Sequence, residues 1–372
     1  MPATAATVVD WAAAGAAAAA LAPPGPAMTR AEIDDLVAEL RECARLAVDP
    51  VAETAELEAG DDAGEVLVVD RAGWAKANAA SFGHLMDPVI ASSMRRRATE
   101  RTAAGKGTSD APPAVVAVTR AVNAAETGGL LAFMATKVLG QYDVLSPTGG
   151  RLLLVAPNVA HMESEIGAVP SDFRLWVCLH EETHRVQFGA NPWLAAWFRA
   201  QVTELLEDML ADPTGSLQRL VDGLGRLPAI LRAPAPTADA PAGSASTGLI
   251  DLVQTPEQKR RLDELTAVMS LLEGHADVVM DAVGPSVVPT VAQIRARFGA
   301  RRGGTGPLDR TLRRLLGLDA KVAQYRDGAR FVRAVTERVG TGGFNAVWSG
   351  PEALPSAAEL REPAAWVARV HA

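Results

Sequence analysis

The segment that decides the fold is SDFRLWVCLHEETHRVQF, residues 171–188, which has the length and polarity pattern of a helix. It carries two histidines, His180 and His184, separated by Glu-Glu-Thr. Residues four apart lie on one face of a helix about one turn from each other, so both imidazoles can reach the same ion. Glu181 follows roughly 100° further around the axis. From there it can act on a water molecule at that ion without being a ligand.

This is the HExxH arrangement of zinc metallohydrolases, and its flanks favour a buried helix. Ser171 is a suitable N-cap and Gly189 stands where a left-handed C-cap residue is expected. Apolar residues cover two sides of the helix and carry the histidines inward, where an imidazole without a partner is costly. The pattern leaves a narrow outward stripe of four residues: Arg174, Cys178, Glu182 and Arg185.

Composition limits the classes of protein and partner. A chain of 372 residues with 48% hydrophobic residues can bury one large core or two modest ones. The net charge of −8 and the lack of a basic run argue against nucleic acid or an anionic membrane surface as a partner. The two cysteines make no disulfide framework, which favours a reducing, cytoplasmic location. No apolar segment has the length of a membrane span.

The rest of the chain reads as mostly helical with a small sheet, so the predicted fold class is mainly α (α+β). Short strands are predicted at 65–70 (EVLVVD) and 151–155 (RLLLV), and the second could be the sheet edge along which an extended substrate lies. Helices are predicted over residues 11–27, 29–48, 113–139, 191–211 and 255–283. Capping boxes mark the starts at Thr29 and Thr255, and Asn191-Pro192 marks the start of the fourth helix. An interruption is predicted at Gly128-Gly129 in the third helix.

The domain organisation is predicted in two parts. Residues 1–160 form an N-terminal helical part with short strands, and residues 161–372 form the metal-binding part. Residues 231–247 are rich in Pro, Ala and Ser and contain few large apolar groups, which is typical of a flexible linker. The two parts are expected to make one continuous folded unit.

A catalytic zinc needs a third protein ligand, and the segment LLEGHADVVMD supplies the candidates. Glu273 and Asp277 are four residues apart and share a helix face beside the apolar stripe. Glu273 is therefore the predicted ligand, and Asp277 is predicted to accept a hydrogen bond from a ligand histidine. Two alternatives remain: His275 as the third ligand, reached through a kink at Gly274, or a solvated acidic helix face. The Glu-xxx-Asp pair after HExxH is the pattern of the thermolysin-like zincins, or gluzincins.

These segments resemble a family of zincin-like metallopeptidases common in actinobacteria, some of whose members are associated with biosynthesis of the deazaflavin coenzyme F-420. The resemblance extends over nearly the whole chain and is most specific in HEETHRVQF (180–188) and EGHA (273–276). It also includes VVDRAGWAKAN (68–78), RLLLVAPN (151–158) and KVAQYRDGARFV (321–332). It implies a mainly helical zincin fold with His180, His184 and Glu273 around Zn²⁺ and Glu181 as the catalytic glutamate.

The expected activity is zinc-dependent hydrolysis of a peptide or amide bond, with Glu181 as the general base. Tyr325 is a candidate to stabilise the transition state, although a half-buried structural tyrosine is the simpler interpretation. Asn158 could bind the substrate backbone, against the alternative of a turn residue. Two other functions remain open: a catalytically inactive, zinc-stabilised scaffold that binds other proteins, and hydrolysis of a small-molecule amide linked to deazaflavin metabolism.

Overall fold

The structure is a computed structural model that describes residues 9–60, 64–105, 112–211, 255–303 and 318–372. Within these ranges it is mainly helical with one small sheet, as predicted. The predicted linker, residues 231–247, lies outside the described residues, as does the side chain of Tyr325. None of the described helices combines the length and apolarity that crossing a membrane requires.

The described residues form thirteen α-helices, three strands and two short 3₁₀ turns. In chain order the elements are α1 Trp11–Leu21, α2 Arg30–Leu46, α3 Val48–Ala55, β1 Val66–Val69, α4 Arg71–Ala103, α5 Pro113–Ala135, β2 Gly140–Asp143, β3 Arg151–Val155, α6 Ala156–Glu165, α7 Pro170–Gly189, α8 Pro192–Ala211, α9 Pro256–Val283, α10 Val291–Gly303, α11 Leu318–Phe344, the 3₁₀ turns Asn345–Trp348 and Pro351–Ala353, α12 Ala357–Arg361 and α13 Pro363–Val370.

Several helix starts follow from capping chemistry that the sequence displays. The Thr29 hydroxyl accepts from the backbone N–H of Glu32, and the Glu32 carboxylate accepts from the N–H of Thr29 in return. Thr255 and Gln258 repeat this exchange at the start of α9. Each capping box satisfies two backbone donors that a helix start would otherwise leave unpaired. Both predicted boxes are confirmed.

The sheet has the strand order β1-β3-β2, with β1 parallel and β2 antiparallel to β3. The predicted strands at 65–70 and 151–155 are confirmed as β1 and β3. The prediction that 151–155 forms the sheet edge is wrong, because β3 is the central strand. The edge position beside it belongs to β2, whose sequence GQYD gives no strand signal; pairing with β3 is what holds it extended.

The chain divides into two compact units, Met1–Arg199 with Val279–Arg295, and Ala200–Val278 with Ala296–Ala372. The predicted boundary at residue 160 remains a prediction. In the first unit, a core cluster joins α1, α4, α5 and β3: Ala18, Trp74, Ala75, Ala79, Leu131, Ala132, Ala135, Leu153 and Val155. The helix α7 also packs against the sheet, where it contacts β2 and β3.

The predicted interruption of α5 at Gly128-Gly129 is wrong, since α5 is continuous from Pro113 to Ala135. A Cβ on Gly128 would lie 2.8 Å from the Cβ of Ala17 and 2.9 Å from the carbonyl oxygen of Ala14. The glycine therefore lets α1 and α5 approach closely. A residue that usually signals a break has a packing role here.

In the second unit, α9 packs directly on α11. A Cβ on Gly274 would lie 2.2 Å from the carbonyl carbon of Gly328, and a Cβ on Gly328 would lie 1.8 Å from the carbonyl oxygen of Ser270. The two backbones touch at a contact that only glycine permits. Further along, α11 bends at Gly340, whose φ of 75° lies in the left-handed region that favours glycine.

Candidate metal centre

The helix α7 begins and ends differently from the prediction. It starts at Pro170 with Val169 as the N-cap, so Ser171 lies inside the first turn and does not cap. Gly189 is the last helical residue, and the C-cap that follows, Ala190, is right-handed. Proline at the first helical position explains the earlier start, because its fixed φ suits a helix and it has no N–H to satisfy.

The predicted outward stripe of α7 is wrong at Cys178 and Glu182, which are both buried. The Cys178 thiol lies 3.8 Å from the carbonyl oxygen of Leu40, because α2 covers this side of α7. Burial raises the pKa of the Glu182 carboxyl, and the Arg185 guanidinium, 2.9 Å away, opposes that effect. The helix is thus enclosed on most sides, and the protein supplies a cation for the carboxylate that it buries there.

The two motif histidines converge. Their Nε2 atoms lie 3.1 Å apart, and the ring planes are almost perpendicular. Two nitrogens that bind one zinc ion at 2.0–2.1 Å with tetrahedral geometry lie about 3.4 Å apart. The spacing of the two nitrogens therefore fits a shared metal ion.

The other ring nitrogens have partners that set the ring orientation. Nδ1 of His184 lies 2.9 Å from Oε1 of Gln187, which is fully buried, and Nδ1 of His180 lies 3.2 Å from the sulfur of Met280 on α9. A hydrogen bond donated by Nδ1 leaves Nε2 of the same ring as a lone pair available to a metal. Sequence reasoning missed Gln187, although its position three residues after His184 on the same helix is the signal that could have found it.

Glu273 is the third residue of a group that could hold a metal ion. It lies on α9 two turns before Met280, on the same face of that helix. His180, His184 and Glu273 each offer one ligand atom, and these atoms all lie within 4.8 Å of one another. Two imidazole nitrogens and one carboxylate oxygen are the donor set of catalytic zinc sites, which leave a fourth position open. The residues therefore fit the metal that the motif implies.

His275, the alternative third ligand, has a different environment. It is buried, and its ring stacks on Phe344 with centroids 5.2 Å apart and lies 5.5 Å from the ring of Trp348. Gly274 does not kink the helix, since α9 is continuous from Pro256 to Val283. The close contact with Gly328 accounts for Gly274 instead. His275 is absent from the described group that could hold an ion.

Glu181 is buried against the edge strand. A Cβ on Gly140, the first residue of β2, would lie 2.5 Å from Cγ and 2.7 Å from Oε1 of Glu181. The missing side chain makes room for the carboxylate beside the backbone of β2. Two positions along the strand, Tyr142 stacks on Phe188 with ring centroids 5.5 Å apart and so ties β2 to the end of α7.

The remaining candidate residues have different environments. Asp277 is half-buried on α9, one turn after Glu273, and its role as an orienting residue stays a prediction. Asn158 is buried in α6, where its Oδ1 accepts from Nε of Arg71 and its Nδ2 donates to the carbonyl oxygens of Ala135 and Val138. These bonds give Asn158 a structural role, while the substrate contact stays a prediction. The role of Tyr325 also stays a prediction.

Comparisons with known proteins agree with this geometry. A family model described as zincin-like metallopeptidase matches residues 9–367. The chain belongs to the zincin-like metallopeptidase family. The match includes both the HEETH helix α7 and the helix α9 that carries Glu273. The association with actinobacteria and with coenzyme F-420 stays a prediction.

Among solved structures, this zincin-like chain is similar to a crystal structure from Chloroflexus aurantiacus described as a candidate hydrolase with a novel fold. The sequence identity is 31%, the TM-score is 0.65, and the match covers 98% of this chain and 99% of that chain. The similarity thus extends over both proteins from end to end. The comparison with curated proteins finds no match.

Proposed function

We propose that this protein is a zinc-dependent hydrolase that cleaves a peptide bond. The observation that carries the proposal is the meeting of three ligand atoms, from His180, His184 and Glu273, within 4.8 Å, next to a buried Glu181. When bound, zinc would polarise the scissile carbonyl and lower the pKa of the attacking water.

The chain's own residues supply the rest of the chemistry. Glu181 follows His180 on α7, and its carboxylate accepts the proton that the attacking water releases and then donates it to the leaving amine. Burial beside Gly140 keeps bulk water away from this carboxylate and fixes its position. The hydrogen bond between His184 and Gln187 holds the imidazole in the tautomer that presents Nε2.

The edge strand favours a peptide over a small-molecule amide. The described partner of β2 in the sheet is β3, and the first residue of β2 lies against Glu181. An extended peptide that adds to a sheet edge is held by main-chain hydrogen bonds, and here it would pass beside the general base. We therefore propose an extended peptide as the substrate and β2 as the strand along which it binds.

The substitution Glu181→Gln tests the chemical role. It keeps the size of the side chain and removes the base, so hydrolysis of a quenched-fluorescence peptide library should fall by a factor of about 10² or more. Metal content, measured by elemental analysis, should stay at one equivalent. The matched control is Glu182→Gln, which removes the neighbouring buried carboxylate and should leave most of the turnover in folded protein.

Two results would count against the proposal. Undiminished turnover in the Glu181→Gln variant would remove Glu181 from the chemistry. A wild-type protein that holds zinc and cleaves small amides but no member of the peptide library would assign the site to the small-molecule alternative.

A further inference from the structure

A second site lies in the first unit, where β1 and β3 end. These strands are parallel, so their carboxyl ends meet at one edge of the sheet, and α4 and α6 start directly after them. A cavity of about 570 Å³ opens at this edge. Its volume is in the range of small-molecule sites, and the carboxyl ends of parallel strands are where α/β sheets commonly bind ligands. None of its lining residues belongs to α7 or α9.

Arg71, the first residue of α4, lines this cavity and is buried, with 9% of its surface exposed. Its Nε donates to Oδ1 of Asn158 at 2.7 Å, and its Nη1 donates to the carbonyl oxygens of Pro23 at 2.9 Å and Pro24 at 2.8 Å. All of these acceptors are neutral. Over the described part of the chain, Nη2 has no acceptor and the guanidinium has no carboxylate partner.

A buried guanidinium without a counter-charge is costly to keep, and burial lowers the pKa of Arg71 accordingly. Arginine is rarely buried unless it is paired. A carboxylate bound to the guanidinium would relieve this cost, since such charge-assisted hydrogen bonds are among the strongest in proteins.

The first turn of α6 adds to the positive potential. The N-cap of α6 is Val155, no side chain caps this helix start, and Pro157 in its first turn has no N–H to donate. Asn158, the partner of Arg71, is in this turn, so the guanidinium lies at an uncapped helix start that favours anions. The start of α4 differs: Asp70 also lines the cavity, but its Oδ1 already accepts from the N–H of Gly73 at 2.6 Å.

The remaining walls are apolar. Leu36 and Val37 of α2 and Val68 of β1 line the cavity, and Ile33 is a lining residue that is 42% exposed. A ligand that suits these walls has an apolar body. One guanidinium nitrogen of Arg71 has no acceptor among the described residues, and the Asp70 carboxylate also lines the cavity, so a single negative charge on the ligand suits the site. We propose that this cavity binds an organic monocarboxylate, with its carboxylate on Arg71 and the first turn of α6 and its apolar body against α2.

Calorimetric titration of the full-length, metal-loaded protein with octanoate tests the proposal. Octanoate should bind at millimolar concentration or below, and octanamide, which has the same body without the charge, should bind at least tenfold more weakly. Arg71→Gln should weaken octanoate binding at least tenfold. The matched control Arg30→Gln, which removes an exposed arginine paired with Asp34, should leave it unchanged.

Further variants keep the test decisive if Arg71→Gln does not fold. Val37→Phe fills the cavity from a half-buried position and should also abolish octanoate binding, while His184→Ala, which disables the proposed metal site, should retain it.

Three results would overturn the proposal: octanoate and its shorter homologues do not bind, octanamide binds equally well, or binding is unchanged in folded Arg71→Gln. Arg71 would then have only a structural role, through its hydrogen bonds to Pro23 and Pro24. Loss of binding in His184→Ala would also overturn it, because the acid would then be a ligand of the metal.

Discussion

Two helices of this protein carry histidines beside acidic residues, and they use them differently. On α7, His180 and His184 turn their Nε2 atoms toward each other at 3.1 Å. On α9, His275 stacks against Phe344 and Trp348, while its neighbour two residues before, Glu273, belongs to the group of ligand atoms. The side chains packed around a histidine ring therefore decide its role. A histidine with a carboxylate nearby in the sequence is not enough to identify a metal ligand.

The largest expected effect separates these two helices by metal content. His184→Ala and Glu273→Ala should each reduce zinc from about one equivalent to near zero after dialysis, because each removes one of the three proposed protein ligands. His275→Ala should keep its zinc and lose about 2–4 kcal/mol of stability instead, as expected for removing a buried ring from an aromatic cluster. Elemental analysis together with thermal unfolding measures both quantities.

The reverse pattern would contradict the comparison. If His275→Ala loses its metal while Glu273→Ala keeps it, the site is a three-histidine one, and the aromatic contacts of His275 do not describe the metal-loaded protein.

A smaller effect is expected at Gln187. Gln187→Ala removes the acceptor that lies 2.9 Å from Nδ1 of His184, so zinc affinity should fall by about 10–100-fold, the usual cost of losing a residue that orients a metal ligand. Competition with a zinc-binding dye gives the affinity. Gln187→Glu serves as the paired variant, since it keeps an acceptor at this position and should retain more affinity than Gln187→Ala. Equal affinity in Gln187→Ala and wild type would remove Gln187 from the site.

A pair of glycine variants tests why α9 carries a glycine beside its histidine. Gly274→Ala should cost about 1–3 kcal/mol, because the new Cβ would lie 2.2 Å from the Gly328 backbone. Gly129→Ala, also inside a helix but with no atom within 4 Å of the new Cβ, should instead stabilise the protein by up to about 1 kcal/mol. Denaturant unfolding of the two variants should therefore shift in opposite directions, and a stabilised Gly274→Ala would refute the packing explanation.

The smallest effect concerns the face of α7 that the sequence places outward. Burial raises the pKa of Cys43, on α2, to about 11. At pH 8 about one Cys43 side chain in a thousand is then a thiolate, whereas about one in ten would be for a thiol of pKa 9.0. Because the thiolate is the reactive form, a thiol reagent should react with Cys43 about a hundredfold more slowly than with an ordinary thiol. A Cys178→Ser background isolates Cys43, and unfolding in denaturant should restore the ordinary rate. A fast native reaction would mean that α2 does not cover this side of α7.

The sequence predicted those parts of the fold whose signal is local. The HEETH spacing needs only helical geometry, and the capping boxes at Thr29 and Thr255 each span only four residues. The motif therefore lies on a helix as expected, and both capping boxes formed. The strand at 151–155 was recognisable from its own composition, but its place at the centre of the sheet depends on two distant partners.

The errors arose where long-range packing overrides a local preference. Gly128 sits inside a continuous helix because α1 needs its missing side chain, and Cys178 is buried because α2 covers it. In β2, Tyr142 is the one residue with a clear strand preference, so the strand depends on its pairing with β3. Gln187 was missed because its spacing from His184 allows a contact with the imidazole without requiring it, and the burial that fixes the contact comes from long-range packing.

The contact between Gly140 and Glu181 bears on how pseudoenzymes can be recognised among related chains. The two residues are 181 − 140 = 41 positions apart, yet a single methyl group at Gly140 would occupy the space of the Glu181 carboxylate. A homologue with every residue of HEETH intact and alanine at this strand position would keep its metal ligands while its base is displaced. Inspection of the motif alone would classify such a protein as active, whereas the residue opposite Glu181 in the edge strand would reveal the loss.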